Sequence, residues 1–174
     1  MADHSQVTSS ISPEERAVRN GHTGRIVWLT GLSGAGKSTI AMAMERRLFD
    51  EGNQVYVLDG DIVRTGLCED LGFSSADRTE NIRRIGEVAK ILANAGVLVI
   101  VAFISPFRAD RDRVRACMPA GRFTEVYVST PLEVCEQRGH QRSPRQGPRG
   151  RIDGLHRHFL ALRGTAFPRS GDPH

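Results

Sequence analysis

The chain has 174 residues, of which 39% are hydrophobic and 25% are charged, and its formal net charge is +4. This size and composition fit one globular domain and exclude a chain that is disordered throughout. The longest apolar run, residues 97–104, is too short to cross a membrane, and we expect no secretory signal at the amino terminus, which has no apolar stretch. We therefore expect a cytoplasmic protein.

The spacing of the cysteines and the position of the arginines indicate the redox state of the thiols and where the positive charge lies. The three cysteines, Cys68, Cys117 and Cys135, are widely spaced, which favours reduced thiols over disulfides or a zinc site. Residues 138–174 hold eight arginines and two aspartates, a net charge of +6, so that residues 1–137 have a net charge of −2. The positive charge of the chain is thus confined to its carboxyl-terminal part.

Strands and helices alternate after an amino-terminal arm, residues 1–24, in which we expect at most a short helix near 13–18. The predicted strands cover residues 26–29, 55–58, 97–103 and 126–128. The predicted helices cover residues 37–50, a segment capped by Ser75 and closed at Gly96, residues 108–117 and residues 131–137. The alternation indicates an α/β fold with a doubly wound parallel sheet flanked by helices, and ligands are expected beyond the carboxyl ends of the strands.

Residues 31–38 read Gly-Leu-Ser-Gly-Ala-Gly-Lys-Ser, a complete G-x-x-x-x-G-K-S between a predicted strand and a predicted helix. In this motif backbone N–H groups surround phosphate oxygens, the lysine reaches the β and γ phosphates, and the serine hydroxyl ligates Mg²⁺. The sheet is therefore of the P-loop NTPase type, with ATP and Mg²⁺ as ligands; a glycine-rich turn without a ligand is disfavoured by the Lys-Ser pair. The predicted nucleotide-binding residues are Gly31, Leu32, Ser33, Gly34, Ala35, Gly36, Lys37, Ser38 and Thr39.

A second motif, Asp59-Gly60-Asp61-x-x-Arg64, follows the second strand. A carboxylate at Asp61 can accept a proton from a substrate hydroxyl or hold Mg²⁺ through water. Arg64 lies one helical turn further and suits an anionic substrate group. The alternative interpretation is a helix cap beside a surface arginine.

Two further segments fit an anionic substrate. Arg78 and Asn81 share a face of the long predicted helix, whereas Arg83 and Arg84 fit a solvated face better. Ser105, at the end of the apolar strand, can present its hydroxyl to a ligand or merely cap the next helix.

Together, residues 31–39, 59–64, 70–84 and 103–110 resemble the adenylyl-sulfate kinase (APS kinase) family, over about residues 25–138. The resemblance implies a cytoplasmic enzyme that transfers the γ-phosphoryl group of ATP to the 3′-hydroxyl of adenylyl sulfate, giving 3′-phosphoadenylyl sulfate. It also implies a homodimer, with the arm 1–24 as a candidate contact.

The resemblance carries roles to individual residues. Asp61 activates the 3′-hydroxyl, and Lys37 acts on the phosphates. Ser105 aligns with a serine regarded in the family as a phosphorylated intermediate. Because a P-loop already aligns the γ-phosphate for attack, we expect Ser105 to contact the substrate instead. The full set of implied substrate-binding residues is Asp61, Arg64, Phe73 (stacking on the adenine), Arg78, Asn81, Ile104 and Ser105.

The family pattern is lost after Arg138, returns at residues 151–154, and is lost again. GC-rich codons for residues 139–149 and 155–168 can be chosen so that the +1 frame restores the pattern, including Phe-Thr-Gly-Ile. We therefore hypothesise a frameshift and divide the chain into the arm 1–24, a kinase domain 25–138 and an aberrant segment 139–174. We expect that segment to be mobile and to lack the lid and the second adenine-stacking ring.

Three alternatives remain beside an active APS kinase. The chain could be another small-molecule P-loop kinase, or an ATP-binding remnant with impaired catalysis. Nucleic-acid binding through the arginines of 138–174 ranks last, because no recognition module accompanies them. We therefore expect a small-molecule substrate and no nucleic-acid partner.

Overall fold

The computed structural model describes residues 9–142, with side chains through Arg138. Residues 1–8 and 143–174 lie outside the described part, as do most of the expectations made for the segment 139–174. The elements, in chain order, are α1 Pro13–Asn20, β1 Arg25–Thr30, α2 Lys37–Asp50, β2 Val55–Asp59, α3 Gly60–Val63, α4 Ser75–Asn94, β3 Leu98–Ala102, α5 Arg108–Ala116, β4 Phe123–Tyr127 and α6 Leu132–Arg142.

The four strands form one parallel sheet in the order β2-β3-β1-β4. One face, which includes Trp28 and Val101, packs against Ile85 of α4 and Val114 of α5. The other face packs against the apolar side of α2. Burial of both faces accounts for the unbroken apolar sequence of β3, and the predicted doubly wound parallel sheet is confirmed.

The arm carries the predicted short helix, α1, which begins with a capping box between Ser12 and Glu15. The segment after α1 contacts the residue before β2: the Gln54 backbone N–H donates to Nε2 of His22 at 3.0 Å. No helix among residues 9–142 is long and apolar enough to cross a membrane.

The start of α4 differs from the prediction by one residue. Ser74, not Ser75, is the cap: its backbone is extended, and its hydroxyl accepts from the Asp77 N–H at 3.1 Å. Asp77 in turn accepts from the Ser74 N–H at 3.2 Å, which completes a capping box. The predicted end at Gly96, with φ of 98°, is confirmed.

The carboxyl-terminal elements differ more. β4 begins at Phe123, three residues earlier than predicted. It is an edge strand of the described sheet, and its residues are only partly buried or exposed. Its sequence therefore lacks the apolar run from which the other strands were predicted. α6 begins at Leu132 rather than Pro131 and continues past Gln137 to Arg142. Gly139 does not end it, since a glycine within a helix costs only about 1 kcal/mol relative to alanine.

Candidate active site

The glycine-rich loop connects β1 to α2 at the carboxyl edge of the sheet, as its sequence predicts. Gly34 has φ of 77°, and a Cβ atom there would lie 2.6 Å from the carbonyl oxygen of Cys135. Gly36, with φ of 95°, is the N-cap residue directly before α2. Glycine is required at both places, for backbone conformation and at Gly34 also for space.

Lys37 is buried at the start of α2 and folds back over the loop. Its ammonium group donates to the carbonyl oxygens of Leu32 at 2.7 Å and Gly31 at 3.1 Å. Burial lowers the pKa of Lys37 to about 8, and the nearby Cys135 and acidic side chains oppose this shift. The loop thus holds the Lys37 ammonium group against neutral carbonyl oxygens, with no anion bonded to it among the described residues.

Ser38 lies beside a carboxylate that the sequence analysis did not assign to the site. Its hydroxyl donates to Oδ2 of Asp59 at 2.6 Å. The other Asp59 oxygen accepts from the Asp61 N–H at 3.0 Å and caps α3. The signal that could have indicated Asp59 is its position as the last residue of a buried strand. The side chain of Asp61 is exposed.

A hydroxyl and a carboxylate are oxygen ligands that Mg²⁺ accepts. The Ser38–Asp59 pair therefore fits the metal predicted at Ser38. Within residues 9–142 no group of three or more His, Cys, Asp or Glu side chains could hold a metal by itself. A P-loop site needs fewer protein ligands, because phosphates and water complete the coordination.

The structure brings together three of the predicted substrate-binding residues. The guanidinium carbon of Arg64 lies 4.3 Å from the ring centre of Phe73, and that of Arg78 lies 5.8 Å from it. Arg78 also donates to the carbonyl oxygen of Phe73 at 3.0 Å. Phe73 is 41% exposed, so an aromatic side chain and two arginine cations lie together at the surface.

Asn81 lies one turn after Arg78 on α4 and is buried. Its Oδ1 atom has no hydrogen-bond partner among the described residues. A buried amide oxygen without a partner is costly, which makes Asn81 a candidate for a ligand contact.

Ser105 is placed differently from the expectation. The side chain is fully buried, and its hydroxyl accepts from Nε1 of Trp28 at 2.9 Å and donates to Oγ1 of Thr30 at 3.0 Å. Its carbonyl oxygen accepts from the buried Arg111 at 2.7 Å. Both functions of the hydroxyl are used inside the protein, so this arrangement does not present it to a substrate.

Ile104, which directly precedes Ser105, packs in an apolar cluster. It is partly buried and packs beneath the glycine-rich loop, against a cluster formed by Leu32, Ala35 and Cys135. The same cluster includes Leu132 of α6, so the loop rests on the start of that helix. This support for the loop was not predicted from the sequence.

Comparisons with known proteins agree with this geometry. The family model for adenylylsulphate kinase matches residues 23–157. An adenylyl-sulfate kinase from Shewanella denitrificans is 61% identical over 129 residues, which is 74% of this chain and 63% of the relative. The chain thus spans slightly less than two thirds of the length of that curated relative.

Solved structures give the same family. The APS kinase of Mycobacterium tuberculosis, in complex with AMPPNP and APS, is 38% identical, with a TM-score of 0.63 over 82% of this chain and 99% of that one. A hexameric APS kinase from Thiobacillus denitrificans is 35% identical, with a TM-score of 0.58 over 87% of this chain and 31% of that one.

Proposed function

The chain belongs to the adenylylsulphate kinase family, and on that premise we propose that it transfers the γ-phosphoryl group of ATP to the 3′-hydroxyl of adenylyl sulfate. The observation that carries the proposal is the pairing of a P-loop, with Lys37 inside it, and the cluster of Arg64, Phe73 and Arg78. The loop suits a nucleoside triphosphate, and the cluster suits an adenine ring linked to an anion.

At the phosphate end, the loop and α2 supply backbone N–H groups and Lys37 supplies a positive charge. Lys37 now donates to two loop carbonyls, at 2.7 and 3.1 Å. Phosphate oxygens are stronger acceptors, so the ammonium group exchanges those bonds for charge-assisted ones when ATP binds. Ser38 and Asp59 would hold Mg²⁺, which supplies positive charge beside the phosphates.

At the acceptor end, Phe73 offers a surface for the adenine, and Arg64 and Arg78 offer charge for the phosphosulfate. In the structure Arg64 covers part of the Phe73 ring. If adenine stacks on the face that Arg64 covers, Arg64 has to leave that face, which frees its guanidinium for the anion. Asn81, with its unpartnered oxygen, is proposed to accept from a substrate hydroxyl.

The chemical step is an in-line displacement. The 3′-oxygen of adenylyl sulfate forms a bond to the γ-phosphorus while the bond from that phosphorus to the β–γ bridging oxygen breaks, and ADP leaves with the electron pair. Asp61, whose side chain is exposed next to the Asp59 cap, takes the hydroxyl proton. Ser105 is assigned the support of the loop after β3 rather than a covalent role.

Two further proposals concern the setting of the enzyme. The three cysteines all lie in the described part and are free, which supports a reducing, cytoplasmic location. Assembly as a homodimer remains a proposal; its nearest support is that one solved relative is hexameric.

The proposal is tested by a coupled assay of ADP release with adenylyl sulfate and with unsulfated AMP as acceptors. We expect release that depends on adenylyl sulfate in the unmodified protein and none above background in Lys37→Ala. Circular dichroism checks that the variant folds. ATP binding without ADP release would indicate an impaired remnant, and preference for another acceptor would indicate a different small-molecule kinase.

A further inference from the structure

Arg84 of α4 joins two parts of the acceptor end of the candidate site. This residue, expected on a solvated face, has a side chain that is only 26% exposed. Its Nη1 and Nη2 groups donate to the two carboxylate oxygens of Asp70 at 2.6 and 2.8 Å. Nη1 also donates to the carbonyl oxygen of Leu67 at 3.0 Å, and Nε donates to Oε1 of Glu80 at 3.0 Å. The guanidinium thus ties α4 to a segment that lies earlier in the chain.

That segment, residues 64–73, begins with Arg64 and ends with Phe73, and we call it the acceptor segment. It is built from turns, and none of its residues belongs to a helix or a strand. The Arg64 guanidinium donates to the carbonyl oxygen of Gly72 at 3.3 Å, so the two ends of the segment lie close together. Irregular segments open more readily than helices and strands, so the order of the acceptor segment depends on what holds it.

The acceptor segment is held from two sides. On its inner side Cys68 is buried in the core that includes Ile85 of α4, and Leu71 packs against the same core. On its outer side Leu67 and the side chain of Asp70 are exposed to solvent. Apolar burial therefore fixes the inner side, and the hydrogen bonds from Arg84 fix the outer side.

An arginine suits this place because its planar fork matches a carboxylate and still has N–H groups for other acceptors. The hydrogen bonds from Arg84 lower the pKa of Asp70, which keeps that carboxylate charged. The adjacent Arg83 differs: it is half exposed and donates twice, at 2.7 Å, to Glu80 of its own helix. Of these neighbouring arginines, Arg84 has the contacts to the acceptor segment.

We propose that Arg84 is a positioning residue for the acceptor: it holds the acceptor segment against α4, so that Phe73 and Arg64 stay beside Arg78 and ready for adenylyl sulfate. The inference rests on the proposed function and deepens it, because it states what orders the acceptor end before the substrate binds. Groups that are already ordered lose less conformational entropy on binding, which strengthens affinity. Arg84 itself has four hydrogen bonds within the protein and is assigned no contact with the substrate.

The first test compares Arg84→Ala with Arg83→Ala, which removes the same charge from the adjacent residue. Turnover is measured while adenylyl sulfate and ATP are varied separately, and circular dichroism checks folding. We expect Arg84→Ala to raise the KM for adenylyl sulfate about tenfold, the scale of one hydrogen bond to a charged group. The KM for ATP in Arg84→Ala, and both values in Arg83→Ala, should change less than about twofold.

The conservative variant Arg84→Lys should recover only part of the loss, because lysine lacks the fork. An equal rise of the KM for adenylyl sulfate in Arg83→Ala and Arg84→Ala would overturn the proposal. So would a rise of both KM values in Arg84→Ala, or no rise at all.

Removal of Asp70 separates positioning from a direct attraction between Arg84 and the anionic substrate. A direct attraction predicts that Asp70→Ala strengthens the binding of adenylyl sulfate, because it releases the charge of Arg84. Positioning predicts that Asp70→Ala weakens binding and that the double variant loses less than the sum of the two single variants. Titration with adenylyl sulfate measures these affinities. Tighter binding in Asp70→Ala, or additive losses, would contradict the proposal.

Hydrogen exchange decides the inference if the unmodified protein neither binds nor phosphorylates adenylyl sulfate. The proposed function then fails, whereas the contacts of Arg84 with the acceptor segment can still be tested. Amide exchange of residues 65–72, followed by mass spectrometry, should be about tenfold faster in Arg84→Ala and unchanged in Arg83→Ala. Equal exchange in the unmodified protein and both variants would rule out that Arg84 holds the segment, and so would equal acceleration in the two variants.

Discussion

At the scale of single residues, the protonation of Lys37 is sensitive to its surroundings, because burial and nearby charges shift its pKa in opposite directions. The ammonium group is buried, and its two described acceptors are neutral carbonyl groups. Burial therefore lowers its pKa to about 8. Bound phosphate would reverse this shift, because an adjacent negative charge favours the protonated lysine.

The lowered pKa of Lys37 predicts that ATP binding weakens above pH 8. The free protein loses the Lys37 proton through pH 8, whereas the complex retains it, so binding takes up a proton and the affinity falls by up to about tenfold per pH unit. Titration calorimetry between pH 7 and 9.5, in buffers of different ionisation enthalpy, measures both effects. Lys37→Met should abolish the proton uptake; an uptake that survives in this variant would contradict the assignment.

The same shift affects stability with a defined sign. The folded-state pKa of Lys37, about 8, lies below the value of 10.5 for an unperturbed lysine. Between these two values the unfolded chain binds the proton that the native state has lost, so this residue contributes an increase in the free energy of unfolding as pH rises. The pH dependence of the difference between the unmodified protein and Lys37→Met isolates that contribution.

Ser74 and Ser75 provide the clearest contrast at the scale of elements. Ser74 exchanges hydrogen bonds with Asp77, whereas Ser75 is the first helical residue of α4. Ser74→Ala should therefore destabilise the protein by about 1 kcal/mol, a fall of about 2–4 °C in Tm for a chain of this size. Ser75→Ala is the matched control, and thermal unfolding followed by circular dichroism measures both. A larger loss in Ser75→Ala would restore the assignment made from the sequence.

Helices and strands marked by a pattern in their own sequence could be predicted, whereas boundaries that depend on contacts with residues far away in the chain could not. β1, α2 and β3 follow from apolar runs, a glycine motif and a helix stop. The first three residues of β4 did not, because they are only partly buried or exposed and form no apolar run.

In the candidate site, too, contacts between residues close in sequence were predicted, and contacts between distant residues were not. Its glycine-rich loop is a contiguous motif, and the approach of Arg64 and Arg78 to Phe73 involves residues close in sequence. The burial of Ser105 depends on Trp28, which is 77 residues away. The packing of α6 against the glycine-rich loop, through Leu132 and Cys135, joins residues about 100 positions apart, and no local sequence signal indicates it.

The distribution of charge is the main unexplained property at the scale of the whole molecule. Residues 1–137 have a net charge of −2, and residues 138–174 have a net charge of +6. The family match extends through residue 157 and includes the short stretch 151–154, where the pattern returns. The hypothesised change of reading frame on either side of that stretch would account for the arginines of residues 139–174.

The frameshift hypothesis predicts that replacing residues 139–174 with the +1-frame sequence strengthens adenylyl sulfate binding. The replacement supplies the phenylalanine of Phe-Thr-Gly-Ile as a second ring for the adenine, opposite Phe73. Stacking of a base on an aromatic side chain contributes about 1–3 kcal/mol, so the affinity should rise by about 10–100-fold. Titration with adenylyl sulfate measures this, and a replacement with the same residues in scrambled order is the control. If the restored and scrambled proteins bind adenylyl sulfate equally, or if the gene encodes no such +1 frame, the hypothesis is wrong and the arginines of 139–174 need another explanation.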